Sequence, residues 1–271
     1  MDMTEISQRG LVLLGCGKMG SAMLQGWLAQ GLAASSVWVL DPYPSDWLNS
    51  LDGLHLNTDL PDDPAIVLIA VKPQMMAGAL PKLQPLGNGT TLFLSVAAGI
   101  SMAAYADVLG EETPIIRAMP NTPAAVGKGI TALIGNARSS EKNMLLAEGL
   151  LSAVGQTVRL TSETQMDAVT ALSGGGPAYV FHLIEALAAA GEAAGLPADL
   201  SMQLSLATVA GAGALAEGAE ENPAQLRINV TSPGGTTAEA LNVLMDEETG
   251  FPPLLRRAIA AAAARSKELG S

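Results

Sequence analysis

Residues 11–20, LVLLGCGKMG, run from an unbroken apolar stretch into Gly15, Gly17 and Gly20 at G-x-G-x-x-G spacing, then into the helical pattern SAMLQGWLAQG that Gly31 closes. A strand must deliver the chain to a tight turn at Gly15, backbone at Gly17 must come close to a ligand, and Gly20 must let helix pack on strand. That is a dinucleotide-binding unit with phosphate on the helix N-terminus. Cys16, Lys18 and Met19 fill the remaining positions of the loop. Cys16 is the only cysteine, so neither an intramolecular disulfide nor a cysteine metal cluster is available, and it reads as a small residue tolerated in a turn rather than a nucleophile.

Further apolar runs begin at 37 (VWVLD), 65 (AIVLIAV), 91 (TLFLSVA) and 114 (PIIRAMP), the earlier ones separated by helical stretches. Runs that are apolar throughout suit a sheet covered on both faces, and their alternation with helices predicts right-handed crossovers and parallel order. GITALIG at 129 and GQTVRL at 155, with a helix between them, extend that sheet. From Ser162 the periodicity becomes helical, opening on a Ser162-x-x-Gln165 capping box and continuing through Val180, Leu183, Ile184 and Leu187. The predicted fold is α/β: a Rossmann-like doubly wound parallel sheet over residues 1–161, then an all-α domain over 162–271. Pro223 and Pro233 are read as breaks, and Pro252 opens a last helix.

A formal net charge of −12 opposes both a nucleic-acid backbone and an anionic membrane surface, so an anion must be held by local donors. Neither partner is expected. No apolar run reaches the ~20 residues of a membrane span, the N-terminal residues lack a secretory pattern, and with a single cysteine the expected setting is cytoplasmic. Segments such as LSLATVAGAGALA at 204 are too apolar to face water all round, which predicts an interface between subunits.

The second informative stretch is VTSPGGTTAEAL at 230, a hydroxyl-rich loop running into a helix. Thr236 and Glu239 have capping-box spacing, and the first free N–H groups of that helix, with the Ser232 and Thr237 hydroxyls, would converge where a carboxylate fits. Asp41 ends the second strand at the position where an acid reads a ribose 2′-OH and repels a 2′-phosphate, which favours NADH; the alternative is a turn residue before Pro42. Neither His55 nor His182 lies in a catalytic pattern, and His182 is read as a core or interface residue. No metal site is expected.

The blocks GCGKMG at 15, AVKPQ at 70, SVAAGIS at 95, RAMPNTPAAVGKG at 117, SGGGPAYVFHLIEAL at 173 and VTSPGGTTAEAL at 230 together resemble the pyrroline-5-carboxylate reductases, in order and over nearly the whole chain. The resemblance implies a nucleotide domain followed by a helical domain that interlocks with a second subunit. It implies a homodimer unit, extendable to a larger homo-oligomer, and an active site assembled between the domains. The reaction would be reduction of 1-pyrroline-5-carboxylate to L-proline, the last step of proline biosynthesis, with NADPH or NADH. Gly15, Cys16, Gly17, Lys18, Met19 and Gly20 would hold the pyrophosphate. Val71, Lys72, Pro73 and Ala97 would line the dinucleotide, and Met119, Pro120 and Asn121 would meet the nicotinamide. Ser232, Gly234, Gly235, Thr236 and Thr237 would take the substrate, with Thr237 the catalytic hydroxyl near the ring nitrogen. Lys72 is open as a proton donor, a cofactor contact or a group that fixes the loop. Gly175 stands where the family often has serine, removing a hydroxyl contact there. A β-hydroxyacid-dehydrogenase-like enzyme is the first alternative, but residues 172–185 lack the lysine its pattern requires. A nucleotide-binding sensor without turnover is the second.

Overall fold

The computed structural model describes residues 4–270. It divides into two compact units, one of residues 4–175 with 262–270 and one of residues 176–261. The first is built on eight strands: β1 (Leu11–Leu14), β2 (Val37–Leu40), β3 (His55–Leu56), β4 (Ile66–Ile69), β5 (Leu92–Ser95), β6 (Ile115–Met119), β7 (Gly129–Gly135) and β8 (Gly155–Arg159). Their spatial order is β3-β2-β1-β4-β5-β6-β7-β8. The order reverses beside β1, so a crevice opens at the carboxyl ends of β1 and β4. With it go helices α1 (Thr4–Arg9), α2 (Lys18–Ala29), α3 (Asp46–Asn49), α4 (Met76–Ala79), α5 (Met102–Leu109), α6 (Glu141–Leu151) and α7 (Met166–Val169).

Alternate residues of each strand enter different cores. Leu11, Leu13, Val37, Val39, Ile66 and Leu68 pack with Met23 and Trp27 of α2 and Leu150 of α6. Val12, Leu14, Val67, Ile69 and Phe93 pack on the other face with Leu80, Leu83 and the α5 residues Tyr105 and Leu109. Each large apolar side chain so buried contributes about 1.5–3 kcal/mol. With both faces covered, polar residues at alternate positions would be unsatisfied, which explains the unbroken apolar runs. Trp27 also donates from Nε1 to the Leu150 carbonyl at 2.8 Å, tying α2 to α6.

Two features depart from the expected parallel sheet. β6 and β7 pair antiparallel, with Met119 opposite Ala132, because the connection holds only a 3₁₀ turn (Thr122–Val126), too short for a crossover. β3 was not expected at all. It is two residues long, too short for any periodic signal, and is marked by the His55 ring stacked on Trp38 at 4.2 Å.

The amino-terminal helix α1 is pinned by ion pairs: Arg9 to Glu5 at 2.6 Å and Asp63 at 2.7 Å, and Lys142 to Glu5 at 2.7 Å. The hydrogen bond from Lys142, with Arg9 behind it, holds the Glu5 carboxyl below its ordinary value; Arg9 does the same for Asp63. A depressed folded value means that the unfolded chain binds more protons in acid. The stabilisation is therefore complete above the unfolded value and is lost as pH falls through the folded one. Glu5→Gln is expected to flatten the fall of Tm below about pH 4.5. A slope equal to the parent's would show that the pairs add nothing.

Past β8 the described residues contain no strand. The Ser162 capping box forms as expected, with Gln165 reaching back to the Ser162 N–H. A π turn follows over Thr170–Gly174, with Gly175 N–H donating to the Thr170 carbonyl at 2.9 Å. The second unit holds α8 (Gly176–Ala193), α9 (Ala198–Gly218), α10 (Pro223–Asn229), α11 (Thr236–Leu244) and the start of α12 (Phe251–Leu269). Pro223 starts a helix instead of breaking one: it occupies the first turn, where its missing N–H costs nothing, behind an Asn222 cap. Phe181, Leu206 and Leu215 are exposed on α8 and α9, so these helices keep large apolar surfaces uncovered in the single chain. His182 is not a core residue of that chain: its side chain is exposed and lies 3.2 Å from the Glu185 carboxylate.

Candidate functional site

The glycine loop has the predicted shape. Gly15 turns with φ +87°, open to glycine at little cost, and its N–H donates to the Leu40 carbonyl at 2.9 Å. Gly17 caps α2 with extended backbone and no side-chain hydrogen bond, so the first-turn N–H groups have no capping side chain. No atom lies within 4 Å of where a Gly17 Cβ would stand. This is an open cradle at a positive helix end, the space and the donors that a pyrophosphate requires. The Cys16 thiol is buried and pushed up by that burial, leaving it an inert filler of the turn. Lys18 is exposed, and Met19 packs against the core.

Asp41 does two things at once. Its Oδ1 accepts from the Tyr43 N–H at 2.8 Å, the turn role, while Oδ2 accepts from the Cys16 N–H of the glycine loop at 2.7 Å. Asn57 clamps the Asp41 backbone, accepting from its N–H at 2.9 Å and donating to its carbonyl at 2.8 Å. Beside them a cavity of about 420 Å³ is walled by Leu14, Asp41, Asn57, Val71, Gln74 and Lys82. Lys82 and Asn57 escaped the sequence reading. The DPYPSDW segment holds no cation, and Lys82 arrives from the 3₁₀ helix Leu80–Leu86 with no spacing signal to announce it.

Val71 is buried against Gly15, Lys72 is exposed ahead of the 3₁₀ turn Pro73–Met75, and Ala97 is buried with its N–H donating to Ser95 Oγ at 3.2 Å. Gln74 borders a second cavity of about 350 Å³ bounded also by Pro73, Ala98, Gly99, Thr170 and Ser266. Gln74 is the wall the two cavities share. Met119 lies over Gly174, where a Cβ would come within 2.6 Å of its methyl. Pro120 is buried, and Asn121 spends its Oδ1 on the Ile130 N–H at 2.9 Å. A third cavity near α1 is walled by Glu5, Arg9, Asp63 and Lys142, which already pair with one another. Among the described residues no group of three His, Cys, Asp or Glu side chains forms a metal site, and no helix is long and apolar enough to cross a membrane.

In the second unit, Gly234 turns the chain with φ +69°, and the Gly235 N–H closes the turn on the Ser232 carbonyl at 3.0 Å. The helix consequently starts one residue earlier than the capping box requires. Gly235 is the N-cap, without a side-chain bond, and Thr236 is the first helical residue, so the expected Thr236–Glu239 box does not form. The Ser232, Thr236 and Thr237 side chains are instead exposed at an uncapped helix N-terminus. Three hydroxyls and free N–H groups remain for an anion.

Two further polar pairs also escaped the sequence reading. Arg117, buried in the middle of β6, reaches the half-buried Glu163 at 2.5 Å, while Ser95 Oγ lies 2.5 Å from the buried Tyr105 hydroxyl.

Residues 163–269 match the family model described as pyrroline-5-carboxylate reductase dimerisation, and residues 10–99 match that of the coenzyme F420-dependent NADP oxidoreductases. The pyrroline-5-carboxylate reductase of Pseudomonas aeruginosa is 38% identical over 264 residues, covering 96% of each chain. That of Synechocystis is 39% identical over 266 residues, 96% of this chain and 98% of the other. The structure of a pyrroline-5-carboxylate reductase from Coxiella burnetii superposes with a TM-score of 0.90 at 34% identity, covering 97% and 99% of the two chains. The Plasmodium falciparum pyrroline carboxylate reductase with NADP bound gives 0.83 at 29% identity, covering 98% and 99%. With the glycine cradle, the strand order and the hydroxyl-bearing helix start all present, and identity of this level running the length of both chains, the protein belongs to the pyrroline-5-carboxylate reductase family.

Proposed function

We propose that this chain reduces 1-pyrroline-5-carboxylate to L-proline, the final step of proline biosynthesis. The observation that carries the reading is the open Gly17 cradle before an uncapped α2, because a dinucleotide pyrophosphate needs both. NAD(P)H supplies the hydride when bound. In this reading residues 1–161 hold the dinucleotide: the loop from Gly15 to Gly20 takes the pyrophosphate, Asp41 the ribose end, Val71, Lys72, Pro73 and Ala97 the middle, and Met119, Pro120 and Asn121 the nicotinamide. Residues 162–271 form the substrate and dimerisation domain. There Ser232, Gly234, Gly235 and Thr236 hold the carboxylate, and the Thr237 hydroxyl bonds the ring nitrogen. Reduction of a cyclic imine needs two partners positioned and a modest change of charge stabilised, which main-chain donors and one hydroxyl supply. The exposed apolar faces of α8 and α9 support a homodimer unit; assembly of such units into a larger homo-oligomer and a cytoplasmic setting complete the proposal.

Proline-dependent reduction of NAD⁺ or NADP⁺ at high pH tests the reading. Dinucleotide binding without that turnover would turn it into the sensor reading. Cofactor choice is set at Asp41, whose carboxylate stands in the cavity with Lys82. Asp41→Ser removes the charge that opposes a 2′-phosphate and is expected to move the NADPH-to-NADH ratio of kcat/KM upward by about tenfold. A ratio equal to the parent's would show that the carboxylate does not read the ribose.

A further inference from the structure

We propose that Tyr105 is a positioning residue for the dinucleotide, acting through Ser95 on the backbone of Ala97; this rests on the reductase reading above. Tyr105 lies on α5, beneath the loop after β5, with no exposed surface, and Ser95, the last residue of β5, is 1% exposed. Their hydroxyl oxygens are 2.5 Å apart, and Ser95 Oγ also accepts the Ala97 N–H at 3.2 Å. Ala97 begins the turn that leads into Ala98 and Gly99, two walls of the cavity that Gln74 also borders. One buried phenol thus holds the serine that holds the loop.

The arrangement has no slack. A buried hydroxyl without a partner is strongly disfavoured, so each oxygen fixes the other, and the serine oxygen is left in one orientation for the Ala97 N–H. The next residue along, Val96, donates to the Ile69 carbonyl at 3.0 Å, so Ala97 is the first residue past β5 whose placement depends on a side chain. The other end of the segment is secured separately, by Glu163 Oε1, which accepts the Met102 N–H at 2.8 Å and pairs with Arg117. Burial pushes the Tyr105 phenol up, against smaller opposing pulls from Ser95 and from the Arg117 charge, so it keeps its proton at neutral pH. The link is therefore constant around neutral pH.

Tyr105→Phe removes only the linking oxygen. The expected result is a dissociation constant for NADH, read by fluorescence titration of the ligand-free protein, raised about three- to tenfold, with kcat within about twofold of the parent. Backbone amide exchange of residues 96–98 is expected to accelerate without any ligand present. Ser95→Ala, which takes away the acceptor itself, is expected to give the same two changes, and adding Tyr105→Phe to it little more. Ile115→Val, in the same core and with no polar link to the loop, is the control for a general loss of packing: Tm falls and NADH binding stays. If Tyr105→Phe behaves like Ile115→Val, with parent-like NADH binding and parent-like exchange at Ala97, the inference is overturned while the reductase reading stands. A parent protein that binds neither NADH nor NADPH removes both.

Discussion

Thr237→Ala is expected to lower kcat by about ten- to a hundredfold while leaving the dissociation constant of NAD(P)H at the parent value. Thr237 is the second residue of α11, exposed, behind an N-cap that brings no side chain to the first-turn N–H groups. A hydroxyl there is free to donate to, or accept from, a bound ring nitrogen. One hydrogen bond lost only in the transition state corresponds to about 1.4–2.7 kcal/mol, which is the stated range of rate. Thr237→Ser keeps the oxygen and should recover most of the rate; Thr237→Val keeps the shape and should not. Steady-state constants for the three variants decide the matter, and an alanine variant within twofold of the parent would take Thr237 out of the mechanism.

The glycine loop offers a paired test in which two similar substitutions should part company. At Gly20 an added Cβ would stand 2.5 Å from the Gly15 carbonyl oxygen, a backbone atom that cannot swing aside. Gly15 is itself turned at φ +87° against Val71, and the next residue's N–H is bound to Asp41, so relief means displacing the loop. Overpacking of this kind costs about 1–3 kcal/mol. Gly20→Ala should therefore lower Tm by several degrees and, because the displaced loop is the phosphate cradle, weaken NADH binding by about tenfold or more. Gly17→Ala meets no atom within 4 Å, and its φ of −70° suits any residue. Its Tm should match the parent's, yet its methyl occupies the cradle and NADH binding should fall comparably. Calorimetry and fluorescence titration separate the two, and a Gly17→Ala protein that binds NADH as the parent does would mean that the pyrophosphate lies elsewhere.

How much of this was legible beforehand depends on how far apart the cooperating residues are in the chain. β1, its loop and α2 were readable because strand, turn and helix signals are all carried within residues 11–31. The two-residue β3 was not, having no period to detect. The antiparallel pairing of β7 turned on the length of one connection, and the unformed Thr236 box on a single turn at Gly234 that moved the helix start by one position. Its place at the end of the second strand pointed to Asp41 but not to Asn57 and Lys82 beside it. The register of β5 with β6 sets Ser95 against Arg117, and no local pattern in the residues around Tyr105 marks the contact with Ser95.

The order of residues alone determined the class of fold, the change from strand to helix at 162, the phosphate-binding loop and the kinship to the reductases, since each is written in spacings of two to four residues or in short motifs. Only the folded chain decided which of those residues share a cleft, which hydroxyls are spent internally and which stay free. Strand order and register bring together positions tens of residues apart, and the hydrogen bonds formed there have no counterpart in local periodicity.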